Sequence, residues 1–152
     1  MAGKPRLYLD TSVLGALLDL KTPDRTRASA SLLARAGEFE GHISDLILTE
    51  IRAHGDAETR GRLLDAAKPF VLVPSSGAAI DELVAEYLRW DALPRSAVVD
   101  ARHVAIATVA RLEAVVSWNM KHLVRLRTRR LVAAVNAALG WGILDIVTPE
   151  EV

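Results

Sequence analysis

The chain has 152 residues, the usual size of one domain and enough to bury a hydrophobic core without disulfides, so we predict a single domain over residues 1–152. Its composition, with 51% apolar and 25% charged residues, excludes a disordered chain. The formal net charge is zero, and the absence of cysteine excludes thiolate metal sites, so any metal ligand must offer oxygen or imidazole.

Short apolar runs alternate with helical patterns along the whole chain. The apolar runs predict strands at residues 7–9, 42–44, 70–73, 115–117 and 143–147. The helical patterns predict helices at residues 12–20, 22–37, 44 or 45 to 51, 57–67, 78–90, 96–112 and 121–139. Strands that alternate with helices are joined by right-handed crossovers, so we predict an α/β fold whose mainly parallel sheet is covered on both faces.

Three isolated carboxylates interrupt these apolar segments. Asp10 directly follows the first predicted strand, Glu50 lies on the helix after the second strand, and Asp100 lies in the first turns of the long helix. Ligands of open parallel sheets bind beyond the carboxyl ends of the strands, where the strand order reverses. Carboxylates gathered there repel one another unless a cation lies between them. The three acids therefore predict a site for Mg²⁺ or Mn²⁺, which suits hydrolysis of a phosphodiester.

Each acid also has a purely structural interpretation. Asp10 could simply end a strand, Glu50 could be an exposed helix residue, and Asp100 could cap its helix or pair with Arg102 or His103. The constellation is more informative than any one of its members.

Other polar residues near the three acids are candidates for substrate contacts. Thr11 and Ser12 could donate to a scissile phosphate or orient Asp10, although helix capping is the simpler role for a hydroxyl at this position. Lys121 and His122 could contact a backbone phosphate, and Asn119 follows the fourth predicted strand. The histidines lack the paired spacing of metal ligands. Of the buried candidates, we expect His103 and Trp118 to pack in the core.

Charge is unevenly distributed despite the neutral total. Residues 102–130 carry seven basic residues and one acid, an excess that the rest of the chain balances. Such a stretch suits a phosphodiester substrate but also fits a solvated helix face. No segment approaches the roughly 20 apolar residues of a membrane span, and no signal peptide is predicted, so we expect a cytoplasmic protein that does not enter a membrane.

Five segments of the chain resemble the PIN-domain nucleases and, among them, the VapC-like toxins of bacterial toxin-antitoxin pairs. These segments are LYLDTS at 7–12, SDLILTEI at 44–51, DARHVAIA at 100–107, VSWNMKH at 116–122 and IVTPEE at 146–151. Their order and spacing extend the resemblance over nearly the whole chain. The resemblance implies a three-layer α/β/α sandwich around a parallel sheet.

The resemblance also implies a function. Asp10, Glu50 and Asp100 would hold Mg²⁺ or Mn²⁺ for endonucleolytic cleavage of RNA, with Thr11 or Ser12 contacting phosphate or orienting a ligand. Many relatives have a further aspartate where this chain has Asn119, a neutral residue that leaves one negative charge fewer for a second cation. Toxins of this type commonly form homodimers and are inhibited by a small antitoxin protein.

Three other interpretations stay open. The chain could be a solitary PIN nuclease without an antitoxin. It could also be a catalytically degenerate PIN domain that serves as an RNA-binding or interaction module, as Asn119 and the neutral net charge would allow. A phosphatase of the haloacid-dehalogenase type would use Asp10 as a nucleophile, but it requires a second aspartate where this chain has Ser12.

Overall fold

The computed structural model describes residues 3–152, which form five strands, seven α-helices and three short 3₁₀ turns. The strands are β1 (Arg6–Leu9), β2 (Glu40–Ser44), β3 (Val71–Val73), β4 (Ala114–Val116) and β5 (Asp145–Val147). The helices are α1 (Thr11–Gly15), α2 (Pro23–Ala34), α3 (Asp45–Arg52), α4 (Ala57–Ala67), α5 (Ala78–Arg89), α6 (Val98–Val109) and α7 (Leu126–Ala138). The 3₁₀ turns are Ala36–Glu38, Arg95–Ala97 and Pro149–Glu151.

All five strands belong to one parallel sheet, in the order β3-β2-β1-β4-β5. The chain builds outward from the central strand β1 to β2 and β3, then returns across the sheet to β4 and β5. The strand order therefore reverses between β1 and β4, where Leu9 is in register with Val116. This confirms the predicted three-layer α/β/α sandwich, and it puts the crevice typical of such sheets beyond Leu9 and Val116.

The buried apolar residues form one continuous cluster around the centre of the sheet. Strand β1 lies in its middle, with Tyr8 and Leu9 fully buried. Helix α6 is buried along most of its length because it packs on α5 as well as on the core, and its residues Val104 to Ala107 have no exposed surface. An apolar circumference is typical of a helix enclosed on all sides. The first turn of this enclosed helix carries Asp100.

Helices α1 and α7 differ most from their predicted bounds, for local reasons. Helix α1 ends at Gly15 rather than near Leu20, because the next residues form tight turns in which Leu18 N–H donates to the Gly15 carbonyl. Helix α7 begins at Leu126 rather than at Lys121, because the Asn119 carbonyl accepts from two backbone N–H groups and closes a separate turn. Polar turn residues thus compete with the helix for backbone hydrogen bonds.

None of the helices within residues 3–152 combines the length and the apolar character that crossing a lipid bilayer demands.

Candidate active site

A cleft of about 530 Å³ opens beyond the carboxyl ends of β1 and β4. This volume lies within the range of ~300–1,000 Å³ that is usual for ligand sites. Six predicted site residues line it: Asp10, Thr11, Ser12, Glu50, Asp100 and Asn119. The fold thus brings together acids that lie forty or more residues apart in the sequence. Lys121 and His122 follow Asn119 closely in the chain but lie outside the lining.

Asp10 is fixed by the strand ends around it. Its backbone N–H donates to the Val116 carbonyl at 3.0 Å and so extends the ladder between β1 and β4. Its Oδ2 accepts from Ser12 Oγ at 2.8 Å and from Ser117 Oγ at 2.7 Å, and the residue is only 6% exposed. Ser12 therefore orients Asp10, one of the roles considered for it from the sequence. The other oxygen, Oδ1, accepts no hydrogen bond among the described residues.

Thr11 differs from Ser12 in its hydrogen bonding. Ser12 Oγ also accepts from the Trp118 N–H at 2.9 Å, so it is held within the protein on both sides. Thr11 Oγ1 is buried and has no partner among the described residues. An unpaired buried hydroxyl is costly, and at the edge of a cleft it is a natural contact for a bound ligand.

Glu50 reaches the cleft from α3 and is held by a buried polar chain. Its Oε1 is 2.5 Å from His103 Nε2, and His103 Nδ1 is 2.7 Å from the Tyr8 hydroxyl. The Tyr8 hydroxyl in turn is 2.8 Å from Ser44 Oγ. His103 is 1% exposed and also lies 3.9 Å from Asp10 Oδ1. His103 therefore packs in the core, as expected, and also supports Glu50.

The pKa of His103 reflects this acidic environment. Burial alone lowers the pKa of the imidazole, but the hydrogen bond to Glu50 and the charges of Asp10, Glu50 and Asp100 outweigh it, so the net shift is upward. A raised pKa favours the imidazolium, in which both ring nitrogens are donors, one to Glu50 and one to Tyr8. Burial also raises the pKa of the Tyr8 hydroxyl, which therefore stays protonated.

The Asp100 carboxyl lies in a partly buried and acidic environment. Burial, followed by the negative charge of Asp10, raises the pKa of the Asp100 carboxyl, while His103, His122 and Asn119 act in the opposite direction. Each additional acid in such a cluster costs more to ionise. Ionisation of Asp100 is therefore less favourable in this cleft than in water.

Asn119 has its side-chain oxygen already engaged. Asn119 Oδ1 accepts from the His122 backbone N–H at 3.0 Å, and the Asn119 N–H donates to Ser117 Oγ at 2.9 Å. The amide nitrogen is the part of the side chain left to interact with Asp100, whose pKa Asn119 lowers. Asn119 thus acts on the site through a side-chain hydrogen bond that favours the ionised form of Asp100.

The residues present fit a hard divalent cation in donor type and charge. Asp10 and Asp100 offer carboxylate oxygens, which Mg²⁺ and Mn²⁺ prefer, and Thr11 offers an unpaired hydroxyl beside them. Within residues 3–152, however, no three histidine, cysteine, aspartate or glutamate side chains are gathered tightly enough to form a ready-made metal site. Glu50 lines the same cleft, with its Oε1 engaged by His103 Nε2.

The roles of three residues around the site were not predicted. Ser117 follows β4 beside Asp10, and a hydroxyl directly after a strand next to β1 was a usable signal. The support of Glu50 by His103 joins positions that are 53 residues apart, so it depends on tertiary packing. Arg25 lines the outer part of the cleft from α2, and nothing in its local sequence pointed there.

Comparison with known proteins supports the fold. No protein-family model and no curated protein matches this chain. Among solved structures, the chain is similar to a chain in the crystal structure of VapBC2 from Rickettsia felis bound to a DNA fragment from their promoter. The TM-score is 0.54 at 20% identity, over 76% of this chain and 88% of that chain. At this identity the likeness is one of architecture, and it supports the α/β/α sandwich alone.

Proposed function

We propose that this chain is a metal-dependent endoribonuclease that hydrolyses RNA phosphodiester bonds, and that it acts as the toxin of a type II toxin-antitoxin pair. The observation that carries the proposal is the convergence of Asp10, Glu50 and Asp100 from three separate elements onto one cleft at the β1/β4 crevice. Acids at three distant positions share a cleft only at a stability cost, and a cation-dependent reaction is a physical reason for such an arrangement.

The residues of the chain have distinct roles in this proposal. Asp10 and Asp100 would hold Mg²⁺ or Mn²⁺ together with Glu50, whose Oε1 stays bonded to His103 while Oε2 is left for the cation. When bound, such a cation polarises a phosphoryl oxygen and lowers the pKa of a water molecule. Ser12 and Ser117 keep Asp10 in one orientation, and the Thr11 hydroxyl is available to donate to a phosphate oxygen.

The decisive experiment measures cleavage of single-stranded RNA by the purified protein with Mg²⁺, with Mn²⁺ and with EDTA. We expect cleavage with either metal and none with EDTA. Asp10→Asn and Asp100→Asn should abolish it while the far-UV circular dichroism stays unchanged. Asp65→Asn is the matched control, because Asp65 is an exposed acid on α4 that pairs with Lys68 and does not line the cleft. Equal cleavage by wild type and Asp10→Asn would refute the nuclease proposal.

A second candidate function is an RNA-binding or interaction module without catalysis. Two observations favour it: Glu50 is engaged by His103, and Asn119 presents a donor where a fourth acid would otherwise add charge. The same experiment separates the two functions, because a degenerate domain would bind the RNA and leave it intact with either metal.

The antitoxin partner is a separate part of the proposal. The solved neighbour with the same fold belongs to a VapBC2 complex, which supports a small protein partner for this chain. Co-expression with the product of a short reading frame beside the gene should give a stable complex that no longer cuts RNA. Full nuclease activity, with no short reading frame beside the gene, would favour a solitary PIN nuclease. Light scattering on the same preparation tests whether the protein is a homodimer.

A further inference from the structure

The outer part of the cleft contains a basic residue that the catalytic proposal does not use. Among the described residues that line the cleft, the other charged side chains are all acids, Asp10, Asp19, Glu50 and Asp100. Arg25, on the first turn of α2, is the basic side chain in the lining. An acid-lined cleft repels a polyanion such as RNA. A positively charged side chain in the lining reduces this repulsion.

Arg25 lies over an aromatic ring rather than against an acid. Its guanidinium carbon lies 5.3 Å from the centre of the Trp118 ring. Trp118 is nearly buried and is fixed at both ends, because its backbone N–H donates to Ser12 Oγ and its Nε1–H donates to Ser29 Oγ, each at 2.9 Å. The segment that positions Asp10 therefore also positions the support of Arg25.

Stacking leaves the hydrogen-bonding edge of the guanidinium unused. Within residues 3–152, Arg25 makes no ion pair and no side-chain hydrogen bond. Its neighbour Arg27 is different, since it pairs with Asp24 and points into solvent. A guanidinium stacked on an aromatic ring keeps its N–H groups free in one plane, which matches two oxygens of a phosphate.

We propose that Arg25, stacked on Trp118, binds a backbone phosphate of the RNA substrate beside the bond that is cut. This inference rests on the proposed nuclease function and adds a substrate-binding residue to it. Asp10 and Asp100 line the same cleft, and Arg25 supplies in that lining the positive charge that the acids lack. Lys121 and His122, the phosphate contacts predicted from the sequence, lie outside the lining.

The test is RNA binding by otherwise identical variants. A fluorescein-labelled short single-stranded RNA of mixed sequence is titrated with protein carrying Asp100→Asn, in Mg²⁺, and anisotropy is followed over a series of salt concentrations. Adding Arg25→Gln should weaken binding about tenfold at low salt, the usual loss for a charged hydrogen-bonding contact. The slope of log affinity against log salt should fall by about 0.7, the value for one phosphate contact on a single strand.

Two further variants make the result specific. Arg27→Gln is the matched control, because Arg27 lies two residues away on the same helix, has a side chain that is 71% exposed, and is not in the lining. The RNA affinity and the salt slope of the Arg27→Gln variant should equal those of the protein that carries Asp100→Asn alone. Arg25→Lys keeps the charge but loses the planar fork, so it should recover only part of the affinity.

The outcomes separate this inference from the proposed function. RNA that is neither bound nor cut by the wild-type protein would overturn both. Cleavage by wild type together with an unchanged affinity and salt slope in Arg25→Gln would overturn only the role of Arg25. Full affinity in Arg25→Lys would overturn the role of the stacked guanidinium plane. In the wild-type background, Arg25→Gln should raise KM more than it lowers kcat, since Arg25 binds RNA away from the reacting atoms.

Discussion

Asp10 and Glu50 line the same cleft, yet the protein holds them in different ways. Asp10 directly follows a central strand, is 6% exposed and accepts hydrogen bonds from two serines of the adjoining segments. Glu50 projects from a helix, its side chain is 34% exposed, and His103 is its one hydrogen-bond partner among the described residues. The orientation of Asp10 thus follows from sheet register, while that of Glu50 depends on a buried histidine.

The difference implies different vulnerabilities. Removal of a serine near Asp10 leaves the β1/β4 ladder and a second hydroxyl in place. Removal of His103 disconnects Glu50 and also leaves the Tyr8 hydroxyl without one of its partners. Buried polar networks of this kind are costly when one member is lost. All the variants below can be compared by their free energy of unfolding in urea, measured without metal.

The largest effect is expected for His103→Ala. The change removes a fully buried ring and two hydrogen bonds, so it should lower the free energy of unfolding by roughly 2–4 kcal/mol. Cleavage of RNA should fall about 10–100-fold, the usual cost of losing a residue that orients a metal ligand. His103→Gln should restore part of the cleavage, because its amide N–H can still donate to Glu50.

His42→Ala is the matched control for this variant. His42 is a buried histidine on β2 whose Nδ1 lies 3.1 Å from the Glu40 carbonyl, and it does not line the cleft. His42→Ala should lower the free energy of unfolding, while RNA cleavage per folded molecule stays at the wild-type level. If His103→Ala and His42→Ala reduce cleavage equally, the support of Glu50 by His103 has no functional importance.

Tyr8→Phe should have the next largest effect. The ring keeps its packing at the centre of β1, but His103 Nδ1 and Ser44 Oγ each lose a partner at 2.7–2.8 Å. Two buried groups left partly unsatisfied should cost about 1–3 kcal/mol, measured by urea unfolding. Cleavage should fall less than in His103→Ala, because His103 can still donate to Glu50.

Tyr87→Phe provides a comparison within the same core. The Tyr87 hydroxyl also has two buried partners, Thr108 Oγ1 at 3.0 Å and Asn136 Oδ1 at 2.6 Å, and burial raises its pKa to about 12. Tyr87 lies outside the cleft lining, so Tyr87→Phe should destabilise by a similar amount without any change in cleavage. A loss of cleavage in Tyr87→Phe would mean that global stability, not the polar chain to Glu50, governs activity.

Ser117→Ala should be milder in stability. One donor to Asp10 is lost, but Ser12 still donates to the same oxygen, so the expected cost is about 0.5–1.5 kcal/mol. Cleavage should fall about tenfold because Asp10 can then rotate. Ser76→Ala, an exposed serine before α5, should change neither quantity. Wild-type cleavage in Ser117→Ala would show that Ser12 alone is sufficient to orient Asp10.

The sequence was enough to predict the part of the site that depends on strand ends. Alternation of apolar runs and helical patterns located all five strands, and Asp10 could be assigned to a sheet edge because it follows β1 directly. The predicted position of Asp100 near the start of a buried helix also agrees with α6. These features depend on local periodicity and on the general rule that parallel strands end at a common edge.

The remaining features depend on tertiary packing that no local pattern encodes. The contact of His103 with Glu50 requires α3 and α6 to meet over β1, and the stacking of Arg25 on Trp118 requires α2 to cross the end of β4. The end of α1 was missed for a smaller reason, because Asp19 accepts from the Lys21 N–H and favours a turn over a further helical turn. The hydrogen bond that Asn119 Oδ1 accepts from the His122 N–H likewise could not be inferred from residue type.

The smallest effect is expected to have the opposite sign. Burial and the charge of Asp10 raise the pKa of Asp100, so the ionised carboxyl destabilises the metal-free fold. Asp100→Asn removes that charge with little change in shape and should stabilise the protein at neutral pH by at most about 1 kcal/mol, since solvent screens a half-buried carboxyl. Because the pKa of Asp100 is higher in the folded state than in the unfolded state, protonation of Asp100 stabilises the fold at low pH. This stabilisation is lost as pH rises through the folded-state pKa. The gain from Asp100→Asn should therefore grow between mildly acidic and neutral pH and shrink at acidic pH, where the wild-type carboxyl is protonated.

Mg²⁺ should raise the unfolding temperature of the wild type but not of Asp100→Asn. A loss of stability in Asp100→Asn at neutral pH without metal would mean that the acids of this cleft are satisfied by their protein neighbours, as Asp10 is by its two serines, and do not require a cation.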